Sequence, residues 1–150
     1  MTPGPPGDAA AGEVSALIRL RVGPEDAHYG GGLVAGAFLL RVFGDLVTEI
    51  TIRTDGDEGL LAEYSGVRFL APVRPGDYIE ARARLVRRKR LQRIVECEAR
   101  TVIAAGGTDR PSAAQVLDPP VMACQATATT VVPFSVAAAH SRLRRVEDAV

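Results

Sequence analysis

One stretch of this chain, Leu33 to about Ile52, carries an apolar pattern of helix length, and it is apolar around most of its circumference. Leu33, Ala37, Leu40, Phe43 and Val47, together with Val34, Phe38, Val42, Leu46 and Ile50, form a band far wider than the stripe of a surface helix. Such a helix has to be covered by other parts of the fold. Its polar exceptions, Arg41, Asp45, Glu49 and Arg53, stand four residues apart and therefore share one face.

The chain around this helix alternates with period two. In VSALIRLRV, residues 14–22, Ala16, Ile18 and Leu20 oppose Arg19 and Arg21, which predicts a first strand with one buried face. Gly23-Pro24 ends it, and Gly30-Gly31-Gly32 makes a loop in front of the helix. After Asp55-Gly56-Asp57 come four strand-like runs: LLAEYSGVRFLAPV, DYIEARARLVRR after the Pro75-Gly76 turn, IVECEARTVIA, and VMACQATATTVVP. Residues 105–120 read as an irregular excursion, with a short helical turn at 112–116. One strand, one helix and four long antiparallel strands make an α+β chain, with a sheet wrapped around one central helix, which is the hotdog fold. Edge strands of such a sheet predict a dimer, with stacking of dimers beyond it.

Residues 13–134 are expected to form the hotdog domain. Before it, Pro3-Gly4-Pro5-Pro6-Gly7 and the small residues after them predict a disordered tail over 1–12. After it, 135–150 is a tail or short basic helix. At 47% hydrophobic, 150 residues supply one core. Eighteen basic residues balance eighteen acidic ones, which argues against nucleic acid or an anionic membrane as partner. Cys97 and Cys124 have no metal-ligand spacing and fit reduced thiols, and the N-terminus lacks a basic start and an apolar run; both suggest a cytoplasmic protein without a metal.

The segment Asp26-Ala27-His28-Tyr29-Gly30-Gly31, followed by Leu33-Val34, Gly36-Ala37, Phe43-Gly44-Asp45 and Thr48-Glu49, resembles the 3-aminobutyryl-CoA and β-alanyl-CoA ammonia lyases. Asp55-Gly56-Asp57, Phe69-Leu70-Ala71-Pro72-Val73, Gly76-Asp77, Val116-Leu117 and Pro120 extend the likeness over roughly residues 17–133. It implies reversible loss or addition of ammonia across the α,β bond of a short acyl-CoA. It also implies no cofactor beyond the coenzyme A of the substrate. Gly32, Ala35 and Phe38 stand where that family carries Asn, Asn and Arg, which points either to a bulkier or more apolar acyl group or to a departure from the family's reaction.

The residues supply this chemistry on their own terms. Elimination needs a base for the α proton, stabilisation of enolate character on the thioester oxygen, and a proton kept on the leaving nitrogen. The amides of Gly30, Gly31 and Gly32 at a helix amino terminus suit the oxygen. Asp45 and Glu49 suit the ammonium and the α proton, Glu49 being the base if an apolar pocket raises its pKa. His28 and Tyr29 add hydrogen bonds or a proton relay, and Phe38 and Arg41 complete the substrate-facing set. Arg87, Arg88, Lys89 and Arg90 are the densest positive run and suit the coenzyme A phosphates or an acidic acyl-carrier protein.

Plainer readings stand beside these. Arg41–Asp45 and Glu49–Arg53 match ordinary i,i+4 ion pairs, and the basic run matches a solvated hairpin end. The same register also resembles the hotdog acyl-CoA thioesterases, with Asp45 activating water; a third reading is a module that binds an acyl thioester without turnover.

Overall fold

The computed structural model describes residues 13–138, so the tail expected at 1–12 and the segment from 139 onward lie outside the described residues. The elements are β1 (Ser15–Arg21), α1 (Gly36–Asp55), β2 (Leu60–Phe69), β3 (Tyr78–Arg88), β4 (Gln92–Ala105) and β5 (Ala114–Val131), with a short 3-10 turn at Pro24–Asp26. Residues 134–138 turn helically at the end of the described chain.

All five strands join one antiparallel sheet in the order β1-β3-β4-β5-β2. The two edge strands, β1 and β2, flank α1 in sequence. The helix is therefore the crossover that carries the chain from one edge of the sheet to the other, lying across its face. Twenty residues of helix span about 30 Å, enough for that crossing.

The sheet face beneath the helix is built from small residues. Ala81 pairs with Ala99 and Ala99 with Cys124, while Ala83 pairs with Cys97 and Cys97 with Ala126. This low floor lets larger helix side chains fill the space, and Phe43, Leu46, Val47 and Ile50 are completely buried on it. Each such side chain contributes about 2 kcal/mol relative to exposure. The opposite sheet face carries the ion pairs Arg82–Glu80, Arg84–Glu96 and Arg100–Glu98. These add little stability individually, but a one-residue slip would turn them inward, so they oppose any other register.

The broad apolar band of α1 divides in the structure. Leu39, Val42, Phe43, Leu46, Val47, Ile50 and Thr51 are buried, whereas Ala37, Arg41, Asp45 and Ile52 face out from the single chain. The helix also starts at Gly36 rather than Leu33, because Val34 is held extended: it bridges Ala27 and donates its amide to the Val73 carbonyl at 2.9 Å.

Of the irregular excursion expected over 105–120 only 106–113 is irregular, and the helical turn expected at 112–116 is overturned: β5 begins at Ala114 and runs for 18 residues. Ile103, Ala104 and Ala105 pair with Val116, Gln115 and Ala114, and the ladder resumes at Thr101 with Val121. The prolines at 119 and 120, which cannot donate ladder hydrogen bonds, fall in the register shift between these pairs. They produce a bulge and not a break.

At the C-terminal end of α1 the chain buries an ion cluster. Arg93 donates from Nε and Nη2 to the two oxygens of Asp55, both at 2.8 Å, and from Nη1 to the carbonyls of Lys89 and Gln92. Arg88 adds a longer contact to Asp55 and one to the Thr54 carbonyl. The Asp55 side chain is fully buried and that of Arg93 is 3% exposed. The cluster fastens the β3–β4 hairpin to the end of the helix.

Burial pushes the Asp55 carboxyl up, but the hydrogen bonds and charges of Arg93 and Arg88 outweigh it and hold the carboxyl below its ordinary value of 3.8. A folded-state value below the unfolded one gives stability that is full above the unfolded value and is lost as the pH falls through the folded value. Asp55→Asn is expected to lose about 3–5 kcal/mol at neutral pH, since it leaves Arg93 buried and uncompensated. The gap to wild type should narrow below about pH 4. Urea unfolding at pH 7 and pH 3 tests this, and a gap that does not change with pH would contradict it.

The two thiols give a second test. Both are free and buried, and burial pushes Cys97 up to about 12, with help from the charge of Cys124, and Cys124 up to about 11. The folded protein at pH 8 is expected to resist iodoacetamide and to take two labels per chain once denatured. Rapid labelling of the folded form would show that the floor under the helix opens.

Candidate active site

The loop before α1 closes on itself. The amides of His28 and Tyr29 both donate to the Leu33 carbonyl, at 2.9 and 3.0 Å, and Gly32 donates to Tyr29 at 3.1 Å. Gly31 and Gly32 have φ of 79° and 77°, a conformation side chains disfavour, so the reversal depends on these glycines. The amides of Gly30 and Gly31 are not among the backbone hydrogen bonds of this loop. His28 and Tyr29 are exposed, their rings edge to face at 4.8 Å.

The helix that follows is uncapped. Ala35 occupies the N-cap without a side-chain acceptor, and no acidic residue lies in the first turn. The amides of Gly36 and Ala37 therefore have no intrahelical partner, and the positive end of the helix dipole is left uncompensated. Gly36 packs so closely against Phe69 that a Cβ there would lie 2.6 Å from its ring. Phe69 thus walls the helix start. The sequence reading did not single it out as a site residue, since its only signal was membership of the Phe69-Leu70-Ala71-Pro72-Val73 run.

Farther along α1, Asp45 is exposed and takes part in no ion pair among the described residues. Glu49 is half-exposed and accepts from Arg53 Nε at 2.9 Å. Of the two simple ion pairs that spacing allows, one forms; Arg41 lies instead over the Phe38 ring at 5.9 Å. A recess of about 870 Å³ takes in Glu49 and Arg53 with Arg82 and Glu98, and includes neither Asp45 nor the glycine turn.

The basic run lies elsewhere. Arg87–Arg90 spans the end of β3 and the turn to β4, at the C-terminal end of α1, so about 30 Å of helix separates it from the glycine turn. Arg88 turns inward to Asp55, and Arg90 lies over Phe134 at 5.1 Å. Arg87, Arg90 and Lys89 remain exposed.

Known proteins give this arrangement its context. Residues 31–102 match the Thioesterase superfamily. The chain is 44% identical over 120 residues to a 3-aminobutyryl-CoA ammonia lyase of Acetoanaerobium sticklandii, a match covering 80% of this chain and 95% of the relative. The structure of β-alanyl-CoA:ammonia lyase from Clostridium propionicum superposes with a TM-score of 0.78 at 28% identity, over 81% of this chain and 87% of that one. A hexameric thioesterase from Yersinia pestis shares the fold, with a TM-score of 0.61 at 18% identity over 77% of this chain and 84% of the other. With this likeness spanning the glycine turn, the helix carboxylates and the sheet, the chain belongs to the hotdog-fold family of 3-aminobutyryl-CoA ammonia lyase.

Proposed function

We propose that this protein reversibly removes or adds ammonia at the β position of a short acyl-CoA thioester, as in the interconversion of 3-aminobutyryl-CoA and crotonyl-CoA. The observation that carries this is an uncapped helix amino terminus beside a glycine turn, on the same helix as two carboxylates four residues apart. The amides receive the thioester oxygen and stabilise the negative charge that develops there. Glu49 takes the α proton, and Asp45 holds the β-ammonium until the carbon–nitrogen bond breaks and ammonia leaves. The ion pair of Glu49 with Arg53 is exposed, so freeing the carboxylate costs at most about 1 kcal/mol. His28 and Tyr29 hydrogen-bond the thioester from the turn, and Phe38 and Arg41 face the substrate. No cofactor enters beyond the coenzyme A that the substrate carries.

Nine residues of helix, about 14 Å, separate Gly36 from Asp45, so the turn and the carboxylates of one subunit do not converge on one thioester. A second subunit has to bring its turn against these carboxylates. The open β2 edge supports this: Leu60 is 73% exposed and Phe69 55%, a long apolar edge of the kind another strand covers. The working form is therefore a homodimer or a multiple of dimers. Arg87, Lys89 and Arg90 meet the coenzyme A phosphates, or an acidic acyl-carrier protein, from whichever subunit sets the hairpin within reach of a bound thioester. Arg88 keeps its place beside Asp55. Reduced, buried thiols suit a cytoplasmic location.

The match to the Thioesterase superfamily supports a second reaction, hydrolysis, in which Asp45 activates water at the thioester carbon. Glu49 separates the two, because hydrolysis uses one carboxylate and elimination a second. Purified protein with crotonyl-CoA and ammonium is expected to give a product heavier by one ammonia in the mass spectrum. Glu49→Gln is expected to lower that rate at least about a hundredfold. Free coenzyme A without the adduct would replace the lyase by a thioesterase, and full lyase activity in Glu49→Gln would remove Glu49 from its role.

A further inference from the structure

Tyr64 has no part in the site as described, yet it joins the helix at a telling place. It lies on β2 opposite Ala128, a fully buried residue under the helix. Its hydroxyl donates to the Leu40 carbonyl at 2.6 Å. That is the carbonyl the helix itself presents to the amide of residue 44, the residue before Asp45. Position 44 is glycine, and a methyl group there would already touch the Tyr64 hydroxyl at 3.5 Å.

The strand around Tyr64 makes this contact more than incidental. The register of β2 on β5 shifts between Leu61 and Glu63 and again between Ser65 and Arg68. Tyr64 is thus in the short regular stretch between two irregularities. Its phenol is half-buried, and burial, followed by the charges of Cys97, Asp45 and Cys124, pushes it up to about 12. It remains a protonated donor throughout the working pH range, within electrostatic reach of Asp45.

We propose that Tyr64 is a positioning residue for the reaction at Asp45: through the Leu40 carbonyl it ties the edge strand β2 to the helical turn that presents the carboxylate. The proposal rests on the ammonia lyase reading. It also gives β2 a second task, because the strand whose outer edge is open to another subunit is fastened by its inner face to the carboxylate-bearing helix. Subunit docking and carboxylate placement then share one hydrogen bond.

Tyr64→Phe keeps the ring and removes the bond. Addition of ammonium to crotonyl-CoA is expected to lose about tenfold in kcat, with KM changed less than about twofold, because substrate still binds while the carboxylate is misplaced. Amide hydrogen exchange at Gly44 and Asp45 should quicken by about tenfold in the same variant. An unchanged kcat in Tyr64→Phe would overturn the proposal. So would a loss of kcat that tracks loss of folded protein in a thermal melt, with no local change in exchange at these two amides. Wild-type protein that turns over no crotonyl-CoA would instead defeat the lyase reading and take this proposal with it.

Discussion

Everything in this structure follows from how α1 lies on a floor of alanine and cysteine. Because Ala81, Ala83, Ala99, Ala126, Ala128 and the two cysteines leave room, the helix buries Phe43, Leu46, Val47 and Ile50 completely. Once that face is committed, the rotation of the helix is fixed, and the column from Arg41 to Arg53 has to point away from the floor. At one end the Asp55–Arg93 pair pins the helix to the β3–β4 hairpin. At the other end no side chain caps it, and the amides of Gly30 and Gly31 are not among the backbone hydrogen bonds of the glycine turn. The buried ion pair lies where the helix ends and the uncapped amides where it begins.

Much of this was legible in the sequence because period two and period 3.6 survive folding unchanged. The strands, the helix and the i,i+4 column can all be counted off directly. The helix start could not be, since it depends on Val34 being drawn into backbone contacts with Ala27 and Val73, residues distant in sequence or hidden in a loop. The length of β5 was hidden by two prolines that a bulge absorbs. The basic run looked uniform in sequence, but the register shift between Leu85 and Arg87 inverts the alternation of β3, so Arg88 turns in to Asp55 while Arg87, and Lys89 beyond the strand, stay out. Tyr64 carried no sequence signal at all, because its partner is a backbone carbonyl.

The carboxylates show how far one chain takes the chemistry. Spacing put Asp45 and Glu49 on one face, and there they are, but the apolar surroundings inferred for them are not supplied by this subunit's sheet, which covers the other side of the helix. The missing surroundings, the distance from turn to carboxylate and the open β2 edge all support the proposed sharing of the site between two copies. In the proposed mechanism the thioester oxygen takes the same amides in the lyase and the hydrolase reaction. What differs is how many carboxylates face the acyl chain.

The sharing of the site between subunits is tested most directly by complementation. Gly31→Val disrupts a turn that requires positive φ, and Asp45→Asn removes a carboxylate, so each variant alone should be inactive toward crotonyl-CoA and ammonium. Refolded together, they form mixed dimers in which one intact turn faces one intact carboxylate pair, and activity should return. A mixture no more active than its two components would mean that turn and carboxylates act within one chain, contrary to the assembly proposed here.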